Sequence, residues 1–116
     1  MYTYKQQFSF DTRVNQSSRV LNKYPDRIPI ICERSHKYFD LPNLDKKKFL
    51  VPRTLTFGQF ICIIRQKIRL NPNDSIFLFV NDKIVSGSLI IGHIYEYEKD
   101  PDGMLYLQYT KENTFG

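Results

Sequence analysis

The chain has 116 residues, 41% of them apolar and 25% charged, with 17 Lys plus Arg against 12 Asp plus Glu, a net charge of +5. This is the size and composition of one folded domain with its own core, and it excludes wholesale disorder. Two cysteines and two histidines, none closely paired, exclude a disulfide scaffold and a zinc spacing, and there is no Gly-rich phosphate loop or G-x-S-x-G nucleophile motif.

The charge is one-sided. Residues 1–53 carry 11 basic and 5 acidic side chains, a net of +6, and residues 54–116 carry 6 and 7, a net of −1. A basic half favours acidic partners such as nucleic acid, anionic lipid heads or acidic peptides, or it is a solubilising face. The apolar run Ile76–Val80 is far too short to span a bilayer, and Lys5 to Gln16 lacks the apolar core of a signal peptide. A soluble, cytoplasmic chain is therefore expected, with Cys32 and Cys62 as small buried hydrophobes.

Residues 1–24 read as an amphipathic helix. Phe10, Val14, Ser17, Leu21 and Tyr24 form a thin stripe expected to lean on a body built elsewhere. The helix stops near Tyr24, because Pro25 disfavours helical geometry in the residue before it. Ile28 to Glu33 is rich in β-branched residues and reads as a strand, with Pro29 placed where no ladder donor is required. After a polar turn region comes a short strand, Lys48 to Val51, closed by Pro52. Its lysines and proline mark an edge strand. On that edge Lys46, Lys48 and Leu50 share one face, and Lys47, Phe49 and Val51 share the other.

Thr56-x-x-Gln59 has the form of a capping box, followed by a buried helical face of Phe57, Phe60, Ile61, Ile64 and Ile68. Ile76 to Val80 reads as an apolar strand turned by Asn81-Asp82. A short helix follows around Leu89 to Tyr97. Asp100-Pro101-Asp102-Gly103 makes a tight turn, and Met104 to Tyr109 is the last strand. From Ile28 onward the order is β-β-α-β-(α)-β, that of an α+β β-grasp, or ubiquitin-like, fold.

The chain resembles the autophagy ubiquitin-like modifiers of the GABARAP and light-chain-three group. The matching stretches are Lys23-Tyr24-Pro25-Asp26-Arg27-Ile28-Pro29, Leu44 to Pro52, Thr56-Phe57-Gly58-Gln59-Phe60, Ile76 to Asn81, and Leu105-Tyr106 through Tyr109 to Phe115-Gly116. The resemblance implies a four-stranded mixed sheet with a crossing helix and two added N-terminal helices. It divides the chain into an N-terminal extension (1–24), a ubiquitin-like core (25–110) and a conjugation tail (111–116).

The activity implied is that of a tag, not an enzyme. The terminal glycine, here Gly116, is adenylated by an E1-like activating enzyme. It then passes as a thioester through an E2-like conjugating enzyme to the amine of phosphatidylethanolamine. A terminal glycine suits narrow active-site channels because it has no Cβ, and the seven residues from Thr110 to Gly116 reach roughly 23 Å at about 3.3 Å each. Phe77, Phe79 and Phe115 match positions that serve the processing cysteine protease and the conjugation machinery, and one of Phe77 and Phe79 is expected to be core.

The resemblance also implies capture of acidic aromatic-x-x-aliphatic motifs from cargo receptors, added as a strand to the Lys46–Leu50 edge. Val20, Pro29, Ile31, Lys48, Leu50 and Met104 would form the aromatic pocket. Phe49, Val51, Pro52, Leu55, Phe60 and Ile63 would form the aliphatic one, although Phe60 and Ile63 also read as core. Arg27, Lys46 and Lys67 would meet the acidic residues. Met104 stands where the family commonly has Phe, Gln16 where it often has a carboxylate, and Ser35–Asn43 is longer and carries His36 and Tyr38-Phe39. No cofactor, metal or nucleic-acid partner is implied. The expected locations are the cytoplasm and, after lipidation, the autophagosomal membrane. The alternative is a basic β-grasp module that binds acidic peptides, tubulin tails or nucleic acid without being conjugated.

Overall fold

The computed structural model describes residues 2–35 and 41–111. The expectations on His36, Tyr38, Phe39, Phe115 and Gly116 lie outside the described residues. In chain order the elements are α1 (Tyr4–Gln7), α2 (Phe10–Lys23), β1 (Arg27–Arg34), β2 (Lys48–Pro52), α3 (Phe57–Lys67), β3 (Ile76–Val80), α4 (Ile91–Glu98) and β4 (Leu105–Lys111).

The sheet order is β2-β1-β4-β3, with β1 and β4 parallel at the centre and antiparallel pairs at both edges. This is the mixed β-grasp sheet expected from the element order. Ile28, Ile30 and Cys32 of β1, Leu78 and Val80 of β3, and Leu105 and Leu107 of β4 pack with Phe57, Phe60 and Ile64 of α3 and Ile91 and Ile94 of α4. Helix α3 begins as its capping box requires. Thr56 Oγ1 accepts from the Gln59 amide at 3.1 Å, and Gln59 Oε1 accepts from the Thr56 amide at 2.9 Å.

The N-terminal segment is two helices, as the resemblance implies, where the apolar pattern alone reads as one. Thr3 and Gln6 form a second capping box ahead of α1, the backbone extends at Phe8 and Ser9, and Ser9 Oγ then caps α2. The expected stripe does not dock as a whole: only Ser17 of α2 is buried, and Phe10 and Tyr24 are exposed. The helices hold the outer face of the sheet through a small cluster of Tyr4, Ile31 and Met104, with Phe8 and Tyr106 against it.

Asp102 makes the polar half of this attachment. Its side chain is 0% exposed and accepts from Arg13 Nη1 at 2.6 Å, the Tyr106 hydroxyl at 2.5 Å and the Met104 amide at 2.8 Å. The Ser17 hydroxyl donates to the Asp102 carbonyl, and Arg13 Nε donates to the Phe8 carbonyl at the α1–α2 junction. Burial, reinforced by the bond to Asp102, pushes the Tyr106 hydroxyl well above its usual range. The close approach of α2 to this turn requires glycine at 103. Its φ is +88°, and a Cβ there would lie 2.5 Å from Ser17 Oγ.

Two other expectations change. Cys32 is buried and desolvation raises its thiol, but Cys62 is exposed, on a side of α3 away from its buried stripe. Neither Phe77 nor Phe79 is core. Ile76, Leu78 and Val80 take the inner face of β3, and the two Phe rings stand half-buried on the outer face, 6.3 Å apart.

Candidate functional site

Strand β2 is the sheet edge, bonded on one side only, to β1. Bonds from the Arg53 amide to the Asp26 carbonyl and from the Cys32 amide to the Lys47 carbonyl flank the ladder. Antiparallel pairs alternate between bonded and unbonded, so Ile28–Val51 and Ile30–Phe49 are the bonded pairs and Pro29–Leu50 and Ile31–Lys48 are not. Two consequences follow. Pro29 owes no donor to β2, and its pairing position precedes the start of the β4 ladder at Ile30–Leu105. The Lys48 and Leu50 amides and carbonyls point away from β1, toward the open edge.

Beside that edge lies a hollow of about 240 Å³ between α2 and the outer face of the sheet. Val20, Pro29, Ile31, Lys48, Leu50 and Met104 all line it. Ile31 and Met104 are nearly fully buried and make its floor, Val20 and Leu50 are half-buried walls, and Lys48 is exposed at the mouth with Lys46. Gln16, one turn before Val20 on α2, completes the wall. The Lys48 ammonium stands 5.5 Å from the Tyr4 ring and 5.8 Å from the Phe8 ring, which holds it over the mouth. Lys47 points elsewhere, tied to Glu33 at 3.2 Å and the Tyr2 carbonyl at 2.9 Å. The apolar floor and cationic mouth suit an apolar side chain flanked by carboxylates.

The other face of β2 is less open. Phe60 is 0% exposed and meets Phe49 edge-on at 5.5 Å, so it supports Phe49 from within the core. Val51 is also buried. Phe49, Leu55 and Ile63 are half-buried and Pro52 is exposed. These four are what this side offers to a partner. Arg27 is exposed at the start of β1, 5.7 Å from the Tyr24 ring, and Lys67 is exposed on the last turn of α3. Among the described residues, no three His, Cys, Asp or Glu gather as a metal cluster, and no helix is long and apolar enough to cross a membrane.

The family described as "Autophagy protein Atg8 ubiquitin like" matches residues 12–116. The chain belongs to the Atg8 family. Autophagy-related protein 8 of Mycosarcoma maydis is 47% identical over 113 residues, covering 97% of this chain and 95% of that protein. Autophagy-related protein 8d of Arabidopsis thaliana is 45% identical over 114 residues, covering 98% and 94%. The crystal structure of Trypanosoma brucei ATG8 superposes with a TM-score of 0.88 at 39% identity, covering 100% of this chain and 99% of that one. The autophagy and ubiquitin-like assignments therefore hold for this Atg8-family chain, at nearly full length.

The residue pattern missed the Asp102 network and the place of the break at Phe8–Ser9, although the resemblance implied two N-terminal helices. The break had a local signal, Thr3-x-x-Gln6 followed by Ser9, which repeats the cap chemistry recognised at Thr56. The network had none, because Arg13 and Asp102 meet only through the fold.

Proposed function

We propose that this chain is a ubiquitin-like modifier of autophagosome formation, conjugated through Gly116 to phosphatidylethanolamine, and an adaptor for acidic aromatic-x-x-aliphatic peptides. The observation that carries the adaptor half is the coincidence of an unpaired β2 edge with a lysine-bordered apolar hollow. A peptide strand bonds the Lys48 and Leu50 backbone, its aromatic side chain enters the hollow, and its carboxylates meet Lys46 and Lys48. An aliphatic side chain three residues on rests against Phe49, Leu55 and Ile63, with Phe60 and Val51 behind them.

The conjugation half rests on family membership and on Gly116. Its carboxylate is activated with ATP by an E1-like enzyme and carried as a thioester on an E2-like enzyme. The lipid amine then displaces the thiol to form an amide. A cysteine protease processes or reverses the product, and the half-buried pair Phe77 and Phe79 offers such enzymes an aromatic contact on the outer face of β3. The chain then divides between the cytoplasm and the autophagosomal membrane.

Reconstitution tests this half. Wild type with E1-like and E2-like enzymes, ATP and phosphatidylethanolamine liposomes gives a lipid adduct, and Gly116→Ala gives none. Absence of the wild-type adduct, or its persistence in the variant, refutes it. In the adaptor half, Leu50→Ala and Lys48→Glu lose peptide binding, which for an acidic peptide weakens only modestly with salt. A steep salt dependence with nucleic acid, indifferent to Leu50, would favour the unconjugated basic module instead.

A further inference from the structure

A second hollow lies against helix α4, away from the β2 edge. It holds about 460 Å³, with Ile94 buried at its floor and Val85, from the β3–α4 connection, half-buried in its wall. Leu89, just ahead of the helix, and His93 and Tyr97 on it follow one another at four-residue spacing along the rim. Leu89 is 42% exposed and Tyr97 88%, so these apolar surfaces are largely free of internal contacts. The hollow belongs to the helical layer on the inner face of the sheet. The Met104 hollow and the Phe77–Phe79 pair lie on the outer face.

Its charge is opposite to that of the β2 edge. Glu96 and Glu98 close the hollow at the last turn of α4, and the helix contains no Lys or Arg. A helix C-terminus carries partial negative charge, so two carboxylates there are an unfavourable arrangement that a cationic partner relieves. Glu98 is already matched by Lys83 at 2.6 Å and Asn81 at 2.7 Å. Glu96 is 57% exposed and its contact with Arg53 is long, at 3.4 Å, so it changes partners at little cost. The α4 backbone is bonded within the helix and to the Arg53 and Leu55 carbonyls, so no strand adds here and a partner is held through side chains. We propose that this hollow docks a short amphipathic helix with basic flanks, laid along Leu89, His93 and Tyr97 with a Lys or Arg against Glu96. An apolar side chain of that helix reaches Ile94 and Val85. The protein then has two docking faces of opposite sign, a basic edge for acidic strands and an acidic helix face for basic helices.

The test uses isotope-labelled full chain and two fluorescent peptides, each held helical by the same staple on its polar face. One is Lys-Leu-Ala-Lys-Leu-Leu-Lys-Ala-Leu-Lys, and the other has Glu for every Lys. The basic peptide binds and shifts the NMR signals of the Leu89, His93 and Tyr97 amides, leaving those of Lys48 and Leu50 unmoved. Leu89→Ser with Tyr97→Ala weakens it about tenfold or more, and Glu96→Lys about three- to tenfold. Circular dichroism stays unchanged, because all three side chains are exposed. The double variant still binds an acidic Trp-x-x-Leu peptide within about twofold of wild type, since that peptide uses the other face. Failure of the basic peptide to bind, equal binding of the Glu peptide at α4, shifts confined to other elements, or unchanged affinity in the double variant overturns the proposal. So does broadening of the Leu89, His93 and Tyr97 signals with protein concentration alone, which would give the face to a second copy, or with phosphatidylcholine vesicles, which would give it to a membrane.

Discussion

Replacing Asp102 with Asn tests whether the N-terminal helices are held mainly by a polar latch. The Asp102 carboxylate is fully buried, and the Arg13 side chain is only 11% exposed. Neutralising the acid leaves the guanidinium facing an amide and removes charge-assisted bonds from Arg13 and the Tyr106 hydroxyl. Breaking a buried pair from one side costs about 3–5 kcal/mol. That is a third or more of the roughly 5–15 kcal/mol that holds a domain folded. With an m of about 1.5 kcal/mol/M the urea midpoint falls by roughly 2–3 M. The chain has no tryptophan, so far-UV circular dichroism is the suitable probe. Arg13→Gln costs a similar amount, because it strands a buried carboxylate, and the double variant costs about 2–3 kcal/mol less than the sum. Lys5→Ala is the control. Its bond to Asp100 is short, but Lys5 is 48% exposed, so the loss is about 0–1 kcal/mol. Additivity of Arg13→Gln and Asp102→Asn within about 0.5 kcal/mol would refute the latch. The latch also bears on function, since α2 carries Val20 and Gln16 into the wall of the hollow.

Other predictions concern single features. Gly103→Ala combines a positive φ with an overlap on Ser17 Oγ, so thermal unfolding shows a loss of at least about 1–2 kcal/mol. Phe60→Ala costs about 3–5 kcal/mol in denaturant unfolding because Phe60 is core, whereas Leu50→Ala costs much less and acts on peptide affinity. Tyr109 is pushed up to about 12, first by burial, with the Cys32 thiol adding to it. A phenol with a raised folded pKa lends stability that is complete below pH 10 and lost as the pH climbs toward 12, because only the unfolded chain ionises there. Ultraviolet absorbance of tyrosinate therefore shows Tyr109 ionising together with unfolding, and Tyr109→Phe flattens that alkaline loss.

Much of the fold was legible because local signals agreed with tertiary needs. The Thr56–Gln59 box opens α3 where its apolar stripe begins, and Ile76–Val80 is a strand with the bounds its composition suggested. Asn81-Asp82 turns the chain as read, both residues with positive φ and with reciprocal Val80–Lys83 backbone bonds. Less was legible where one pattern served two readings. The apolar stripe begins only at Phe10, after the break, and carried no signal for the short capped helix α1 before it, and alternation alone did not tell which face of β3 meets the core. The hollow is drawn from α2, β1, β2 and the residue before β4, so bottom-up reading reached its strand faces. Its membership came from the family resemblance, which also marked Gln16 as a departure from the usual carboxylate.

The central claim is that the open edge of β2 receives a peptide strand. Amide hydrogen exchange by NMR, with and without a saturating acidic Trp-x-x-Leu peptide, tests it residue by residue. Phe49 and Val51 already bond β1 and change little, while exchange at the Lys48 and Leu50 amides slows by about tenfold or more as they gain partners on the open side. Saturating peptide that leaves the Lys48 and Leu50 amides exchanging as before would contradict the account.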